Sequence, residues 1–269
     1  MIGLTLVQEL LAVVSGILVG FSLGLIGGGG SILAIPLLLY FVGLSDSDLP
    51  SNYVDHVVIG TTALAVGLNA YLNAGMHFRR GDVDVKRGVL FAVPGALGAV
   101  LGGLAAHFVQ GELILFSFGF VMIAVALIML RGKSFGVSDV QRGAGKGVKY
   151  HVLLPTGVAV GLVSGLFGIG GGFLVVPGLI AATGLCMKKG IGTSLIAVGT
   201  FGVVSALTYA LFGEVDYRIA LLYLVGGIAG GYLGAKVVST TSNYRLKQIF
   251  AAVIIVVAIY VMFKNAGAL

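Results

Sequence analysis

The chain has 269 residues, of which 58% are hydrophobic and only 10% are charged. Soluble domains carry about 25% charged residues, so this composition excludes an ordinary soluble domain. The net charge of +6 does not indicate nucleic-acid binding, because the basic residues lie in short links between apolar runs, where they orient membrane spans. A single cysteine, Cys186, excludes an intrachain disulfide, and no Cys/His spacing in the sequence is typical of a metal site.

Long apolar runs recur along the whole chain. A helix of about 20 residues crosses a hydrocarbon core about 30 Å thick, and the runs are close to that length. Backbone polar groups in lipid must be paired within the protein, which leaves only helices and closed barrels. The runs are continuous rather than alternating, so they predict helices and not barrel strands. The predicted fold class is therefore an all-α polytopic membrane protein.

Three short motifs of the chain occur twice in the same order. The first pair is Gly24-Leu-Ile-Gly-Gly-Gly-Gly-Ser-Ile-Leu-Ala-Ile-Pro36 and Gly165-Leu-Phe-Gly-Ile-Gly-Gly-Gly-Phe-Leu-Val-Val-Pro177. The other two pairs share one offset between them: Gly60-Thr61-Thr62 with Gly192-Thr193-Ser194, and Gly81-Asp82-Val83-Asp84 with Gly213-Glu214-Val215-Asp216. The matches predict a duplication, with residues 1–131 as the first repeat, 132–150 as a cytoplasmic linker and 151–269 as the second repeat.

Each half predicts the same order of elements. A long apolar stretch interrupted by glycines comes first, at 4–44 and 151–186. Three ordinary spans follow, predicted at 55–76, 87–107 and 112–131, and again at 190–212, 218–238 and 246–265. The glycine stretches are long enough for a re-entrant hairpin or for two tight crossings, and the sequence leaves both open.

The distribution of Lys and Arg predicts that the halves have opposite orientations. The links at 77–87 and 131–150 are basic, whereas the link at 45–55 has no Lys or Arg. Basic links stay in the cytoplasm, and Lys188 and Lys189 place the end of the second glycine stretch there too. Each glycine stretch then begins and ends on one side, so each half crosses an odd number of times. Inverted repeats with broken helices are typical of transporters.

The glycine clusters are predicted to break their helices. Each glycine inside a helix costs about 1 kcal/mol relative to alanine, and a helix-breaking proline, Pro36 or Pro177, follows in each copy. New half-helices are expected to begin near Ser31 and Phe173. Their free N–H groups and positive dipole ends attract anions, which glycine leaves unobstructed. With two inverted copies, both helix ends are predicted to face one central anion.

The candidate substrate-binding residues of the two clusters are Gly27, Gly28, Gly29, Gly30, Ser31, Gly168, Gly170, Gly171 and Gly172. The alternative for any membrane glycine is close helix packing. Packing is the interpretation for Gly95, Gly98, Gly102, Gly226, Gly227, Gly230, Gly231 and Gly234. A dinucleotide-binding turn is disfavoured, because the acidic residue expected about 20 positions downstream is missing.

Hydroxyl side chains near two helix starts add further candidates: Thr61, Thr62, Thr193 and Ser194. They either donate hydrogen bonds to an oxyanion, or cap a helix or bond back to a carbonyl of their own helix. The sequence does not decide between these roles.

Two asparagines, Asn69 and Asn73, lie on one face of an apolar helix, one turn apart. Polar groups in such a helix are costly and face the protein interior, so Asn69 is also a candidate substrate-binding residue. The counterparts in the second half are Phe201 and Ser205, so this polar contribution is predicted to be asymmetric.

The titratable residues give a weaker signal. His56 is able to bind an anion when protonated or to carry a coupling proton, but its place near an interface favours a solvated side chain. His77 and His107 are predicted to be solvated link residues. The paired acids Asp82/Asp84 and Glu214/Asp216 are predicted to form turns and helix caps. No membrane-embedded carboxylate stands out as a proton relay, and Glu9 is the nearest candidate.

The paired Gly-Leu-x-Gly-x-Gly-Gly-x-x-x-x-x-Pro segments, each followed by Gly-Thr-Thr or Gly-Thr-Ser, resemble the TauE/SafE family of sulfite and organosulfonate transporters. The resemblance covers nearly the whole chain and both halves. One departure is Ser31, which stands where the second copy has Gly172. The resemblance implies a multi-pass protein of a bacterial inner membrane that moves a small sulfur-containing anion, such as sulfite, sulfoacetate or another organosulfonate, in the direction of export.

The predicted function is a secondary transporter that works by alternating access, and a passive anion channel of the same architecture is the alternative. An enzyme is disfavoured, because the four histidines are scattered and no histidine lies near the cysteine. A scaffold is also disfavoured, because duplicated glycine breaks cost stability. The sequence predicts no cofactor, no metal and no nucleic-acid partner. The expected partners are a small anion and the lipid bilayer, and a homo-oligomer is compatible with the sequence.

Overall fold

A computed structural model describes residues 4–46, 49–130, 150–168, 172–185, 187–237 and 243–266. These residues are almost entirely helical, and none of them forms a strand. Within the described ranges, six helices are long and apolar enough to cross a membrane. The predicted fold class, an all-α polytopic membrane protein, is confirmed.

The first half contains these elements: α1 (Leu6–Ile26), a 3₁₀ segment (Gly27–Leu33), α2 (Ala34–Pro36), a π turn (Leu37–Phe41), a 3₁₀ turn (Leu44–Asp46), α3 (Ser51–Arg79), α4 (Val85–His107) and α5 (Gly111–Leu130). The second half contains these: α6 (Tyr150–Phe167), α7 (Gly172–Thr183), α8 (Met187–Leu211), α9 (Tyr217–Val237) and α10 (Asn243–Lys264). The predicted bounds of the six ordinary spans agree with these to within about one helical turn. Most of the predicted linker 132–150 lies outside the described residues.

The first glycine stretch folds back on itself. The Cα of Gly30 lies so close to Ser22 that an added Cβ would overlap the backbone and side chain of Ser22. In a continuous helix these two residues would be about 12 Å apart along the axis. The chain therefore reverses near Ile26 and returns through the 3₁₀ segment, α2 and the π turn.

The second glycine stretch folds in the same way. A Cβ on Gly178, in α7, would lie 2.9 Å from the Thr156 side chain in α6. The reversal is therefore centred near Phe167, the counterpart of Ile26 in the repeat. Helix α6 has 18 residues and spans about 27 Å, whereas α7 has 12 residues and spans about 18 Å. Both halves thus begin with a glycine-turned hairpin. In the second hairpin, the return arm α7 is shorter than the first arm α6.

The first arm of each hairpin packs against a helix of the other half. Helix α1 lies parallel to α9, since Val13 contacts Gly226 and Phe21 contacts Gly234. The counterpart helix α6 lies parallel to α4, the counterpart of α9. Glu9 was the nearest candidate in the sequence for a membrane-embedded proton relay. It forms an ion pair with Arg218 at the start of α9.

Glycines make these approaches possible. A Cβ on Gly98 would overlap the Val158 carbonyl oxygen, and one on Gly230 would overlap the Ile17 carbonyl oxygen. The packing interpretation holds for the whole set, because an added Cβ would overlap a neighbour at Gly95, Gly98, Gly102, Gly226, Gly227, Gly230, Gly231 and Gly234. Small residues that admit a neighbouring backbone are characteristic of membrane helix pairs.

Helices α3 and α8 cross antiparallel between these pairs. Gly67 lies against Val203, and further along α3 the Tyr71 ring lies against Gly199, earlier in α8. Helices α5 and α10 pack together beside them. The contacts are symmetric under exchange of the halves, since α1 with α9 corresponds to α6 with α4, and α3 with α8 corresponds to itself.

Large apolar side chains cover the outer surface. On α4 the exposed positions Val93, Leu97 and Leu101 recur once per helical turn, with 61%, 66% and 56% of each residue accessible. This spacing places them on one helix face. An exposed apolar stripe of this kind is suited to lipid and not to water.

Candidate functional site

Each Gly-Thr motif docks on the acidic link of the other half. The Thr61 hydroxyl oxygen accepts a hydrogen bond of 2.9 Å from the backbone N–H of Asp216. The Thr193 hydroxyl oxygen accepts a bond of the same length from the N–H of Asp84. The two contacts are counterparts in the repeat, so the second and third repeated motifs are each other's partners across the two halves.

The glycines that precede these threonines permit the contact. A Cβ on Gly60 would overlap the carbonyl oxygen of Glu214, and one on Gly192 would overlap that of Asp82. Only glycine admits an approach this close. The repeated Gly-Thr pairs therefore join the halves at both ends of the molecule.

The second acid of each link, Asp84 or Asp216, caps a helix, as predicted. The Asp84 side chain accepts a bond from the N–H of Arg87 at the start of α4. The Asp216 side chain accepts bonds from Arg218 and Ile219 at the start of α9. These bonds satisfy N–H groups that have no partner inside the helix.

The other two candidate hydroxyls bond back to their own helices. The Thr62 hydroxyl donates to the Val58 carbonyl at 2.8 Å, and the Ser194 hydroxyl donates to the Ile191 carbonyl at 2.7 Å. This is one of the two roles that the sequence left open. An oxyanion contact by any of the four hydroxyls stays a prediction.

Asn69 and Asn73 form a buried polar pair. The Asn73 amide donates to the Asn69 backbone oxygen at 2.9 Å and to the Asn69 side-chain oxygen at 3.1 Å. Asn69 is 2% exposed and lies against Gly227 in the middle of α9. At the counterpart place, the Phe201 ring lies against Gly95, so the two halves differ here as the sequence predicted.

The glycine turn of the second hairpin lies near one end of the molecule. Gly168 has φ of +60°, a conformation that favours glycine. A Cβ there would overlap the carbonyl oxygen of Ile59. Ile59 shortly precedes Thr61, which binds Asp216 at the start of α9. The second turn is therefore close to the level at which α9 begins.

The glycine turn of the first hairpin lies near the other end. It follows Phe21, which contacts Gly234 in the last turn of α9. Helix α9 has 21 residues and spans about 32 Å. The prediction that both glycine-rich helix starts face one central anion stays a prediction, because these starts lie beyond the two reversals on the return arms. Because α1 and α6 run along nearly the whole of α9 and α4 before they reverse, the two turns lie at opposite ends.

The return arms of the two hairpins meet between these ends, where the 3₁₀ segment contacts α7. The segment contains Gly27, Gly28, Gly29, Gly30 and the fully buried Ser31. Helix α7 begins at the buried Gly172, one residue before the predicted start. The candidates Gly170 and Gly171 lie outside the described residues.

The prolines occupy different places in the two arms. Pro36 ends α2, and the chain continues as a π turn, a distortion expected where proline removes a helix hydrogen bond. Pro177 lies inside α7 without ending it. In the return arm of the first hairpin, a 3₁₀ segment precedes the α-helix. The α-helix begins at Ala34 rather than near Ser31, because four consecutive glycines disfavour α-helix.

A group of ionisable side chains lies at the end marked by Thr61 and Asp216. His56, in this group, is 2% exposed, and His77, at the other end beside Gly192, is 9% exposed, so the prediction that these two histidines are solvated is wrong. The start of α3 is covered by the α4–α5 and α8–α9 links, and the sequence does not show this cover. His107 is exposed, as predicted, and its Nδ1 lies 3.1 Å from Oε1 of Glu214. In the sequence, the one available sign of this ionisable group was that the second repeat has Glu214 where the first has Asp82.

An all-helical membrane protein with paired, glycine-turned hairpins has the architecture of a membrane transporter. The chain belongs to the sulfite exporter TauE/SafE family, whose model matches residues 12–261.

Named relatives agree with this assignment. A probable membrane transporter protein of Xylella fastidiosa (strain 9a5c) is 43% identical over 98% of both chains. Probable membrane transporter protein YunE of Bacillus subtilis is 26% identical over 94% of this chain and 97% of its own. A probable membrane transporter protein of Methanocaldococcus jannaschii is 24% identical over 91% and 94% of the two chains. No solved structure matches the chain.

Proposed function

We propose that this protein is a secondary transporter that moves a small sulfur-containing anion, such as sulfite, sulfoacetate or another organosulfonate, across the bacterial inner membrane by alternating access, in the direction of export. The family's description as a sulfite exporter supports the class of substrate. The observation that carries the mechanism is the pair of matching contacts, Thr61 with Asp216 and Thr193 with Asp84.

These contacts lie at opposite ends of the molecule, because α3 and α8 run antiparallel and each carries its threonine in its first half. Matching contacts at opposite ends are what an inverted repeat produces, with halves at 1–131 and 151–269 joined by the linker 132–150. Opening one contact while the other stays closed would admit substrate from one side only. Two symmetric ways of opening make alternating access a natural motion of this fold.

The glycine-rich starts of the return arms suit a substrate path between the halves. Backbone N–H groups at a glycine-rich helix start attract an anion, and the two glycine-rich segments approach each other where the 3₁₀ segment contacts α7. Asn69 supplies an amide at mid-depth, where polar groups are costly and mark pathways. The residues proposed to line this path are Gly27, Gly28, Gly29, Gly30, Ser31, Thr61, Thr62, Asn69, Gly168, Gly170, Gly171, Gly172, Thr193 and Ser194.

The test is flux into proteoliposomes that contain the purified protein. Labelled sulfite, sulfoacetate and taurine are compared with sulfate and thiosulfate, and empty liposomes serve as the control. Saturable flux of at least one sulfur oxyanion is expected. Absence of saturable flux for every anion, with protein that is folded by circular dichroism, contradicts the proposal. Flux that never saturates favours the passive channel.

A further inference from the structure

A buried histidine and a buried carboxylate from different halves face each other at the end of the molecule marked by Thr61. Nδ1 of His56, in α3, lies 3.9 Å from Oε2 of Glu214, in the α8–α9 link. The two residues are 2% and 6% exposed. Within the described part of the chain, neither of these two atoms has a hydrogen-bond partner.

The rest of the His56 ring fixes its tautomer. Nε2 lies 3.1 Å from the backbone oxygen of Val109. A carbonyl oxygen only accepts hydrogen bonds, so Nε2 carries the hydrogen and Nδ1 of the neutral ring is an acceptor. That acceptor faces Oε2, which is also an acceptor when Glu214 is ionised. Two unpaired acceptors buried side by side are unfavourable.

One proton removes this conflict. Placed on either Nδ1 of His56 or Oε2 of Glu214, it turns the pair into donor and acceptor. We propose that His56 and Glu214 form a binding site for a single proton, and that this proton joins the two halves at this end of the molecule. The site needs no other ligand, since each remaining polar atom of the pair already has a partner.

His107 provides the route to solvent. Its Nδ1 lies 3.1 Å from Oε1 of Glu214, while the ring stacks on Phe212 with centroids 3.7 Å apart. The His107 side chain is 36% exposed, against 8% for that of Glu214. The exposed imidazole, the buried carboxylate and the buried imidazole of His56 therefore lie in a row from surface to interior.

Other ionisable groups lie farther from the pair. The Tyr209 ring lies 6.2 Å from the His56 ring, and its hydroxyl donates to the Leu166 carbonyl. Near this end, the elements that pack here also carry the ionisable residues Tyr53 and Asp55 on α3, Glu112 on α5, and Asp216, Tyr217 and Arg218 at the start of α9. No lysine or arginine contacts His56 or Glu214 in the described residues, so the proton is the cation that these two groups share.

The consequence for transport depends on the proposed function. When the proton leaves, the facing acceptors repel and weaken the contact between the halves at this end. Opening at this end should therefore depend on pH. The counterpart of Glu214 is Asp82, and no histidine stands at the position that corresponds to His56, so the effect is confined to one side.

The proton site is tested by NMR of the purified chain labelled with ¹⁵N at its four histidines. Single substitutions H77Q, H107Q and H151Q assign the signals, and long-range ¹H–¹⁵N spectra show which ring nitrogen bears hydrogen. The wild-type His56 ring is expected to carry hydrogen at Nε2, and its Nδ1 signal is expected to shift on acidification. Hydrogen on Nδ1 with Nε2 bare throughout the titration would overturn the proposal.

The variant E214Q separates a shared proton from an isolated histidine. Its amide donates to Nδ1 without a titrating proton, so the Nδ1 shift of His56 should lose its pH dependence. D82N, the matched substitution in the other half, should leave that shift unchanged. An identical titration in wild type and E214Q would contradict the proposal. Flux at varied external and internal pH then examines the transport step separately, so that absence of any flux counts against the proposed function and not against the proton site.

Discussion

The hydroxyl of Thr61 is expected to hold the two halves together through the backbone N–H of Asp216. In T61V the side chain keeps its shape and loses the acceptor for the N–H of Asp216, which is 4% exposed. A buried donor left without a partner costs about 1 to 3 kcal/mol. The Asp216 side chain caps Arg218 and Ile219, so it offers its own N–H no substitute.

The assay is thermal and denaturant unfolding of the purified variant in detergent, together with flux. T193V should lose less, because its contact with the N–H of Asp84 is only part-buried. The double variant should lose the sum of the two, because contacts at opposite ends share no partner. T62V is the control, since the Thr62 hydroxyl donates to carbonyls of its own helix and its removal leaves no buried donor without a partner, so T62V should lose less stability than T61V. The reasoning is refuted if T61V unfolds like T62V, or if T61V abolishes transport with stability unchanged.

Further outcomes follow from the glycines and from Asn69. G29L and G170L should abolish flux while expression and membrane insertion persist, and wild-type flux in both would exclude an anion path along the turns. G230A should lower stability by about 1 to 3 kcal/mol, because the added methyl group overlaps α1. G75A has open space around the site and should raise stability by about 0.5 to 1 kcal/mol. Denaturant unfolding curves of the two variants measure both changes. N69L should raise KM for the transported anion in flux assays, and an unchanged KM would place the amide outside the path.

Sequence patterns predicted the helices well because lipid imposes a simple rule on them. A continuous apolar run of the right length must be a helix, and polar links end it. The same regularity made α4 and α9 recognisable as packing helices, since glycines such as Gly98 and Gly230 recur on their faces. The duplication also indicated that the two glycine stretches fold alike, as the matching reversals near Ile26 and Phe167 confirm.

The relative positions of the glycine turns could not be predicted. The sequence shows that each hairpin turns, but the length of its first arm against α9 or α4 decides how far the turn lies from the middle. Neither partner helix is adjacent in the chain to the arm that it contacts. A single central anion between the two glycine-rich helix starts stays a prediction.

The role of the Gly-Thr motifs was hidden by the same separation in sequence. Thr61 and Asp216 are 155 residues apart, and only the fold brings them together. The burial of His56 was missed because short links cover the start of α3, and hydropathy carries no information about that cover. The repeat itself held the usable signal, since motifs preserved at one offset are candidates to contact each other.

Counterflow in proteoliposomes tests secondary transport most directly. Vesicles loaded with an unlabelled sulfur oxyanion are diluted into a trace of the labelled anion, with the membrane potential clamped. A carrier that works by alternating access predicts a transient accumulation of label above its external concentration, absent in empty vesicles. Label that equilibrates without overshoot would contradict alternating access and identify a channel, and absence of entry for every sulfur oxyanion would contradict the transport of this class of anion.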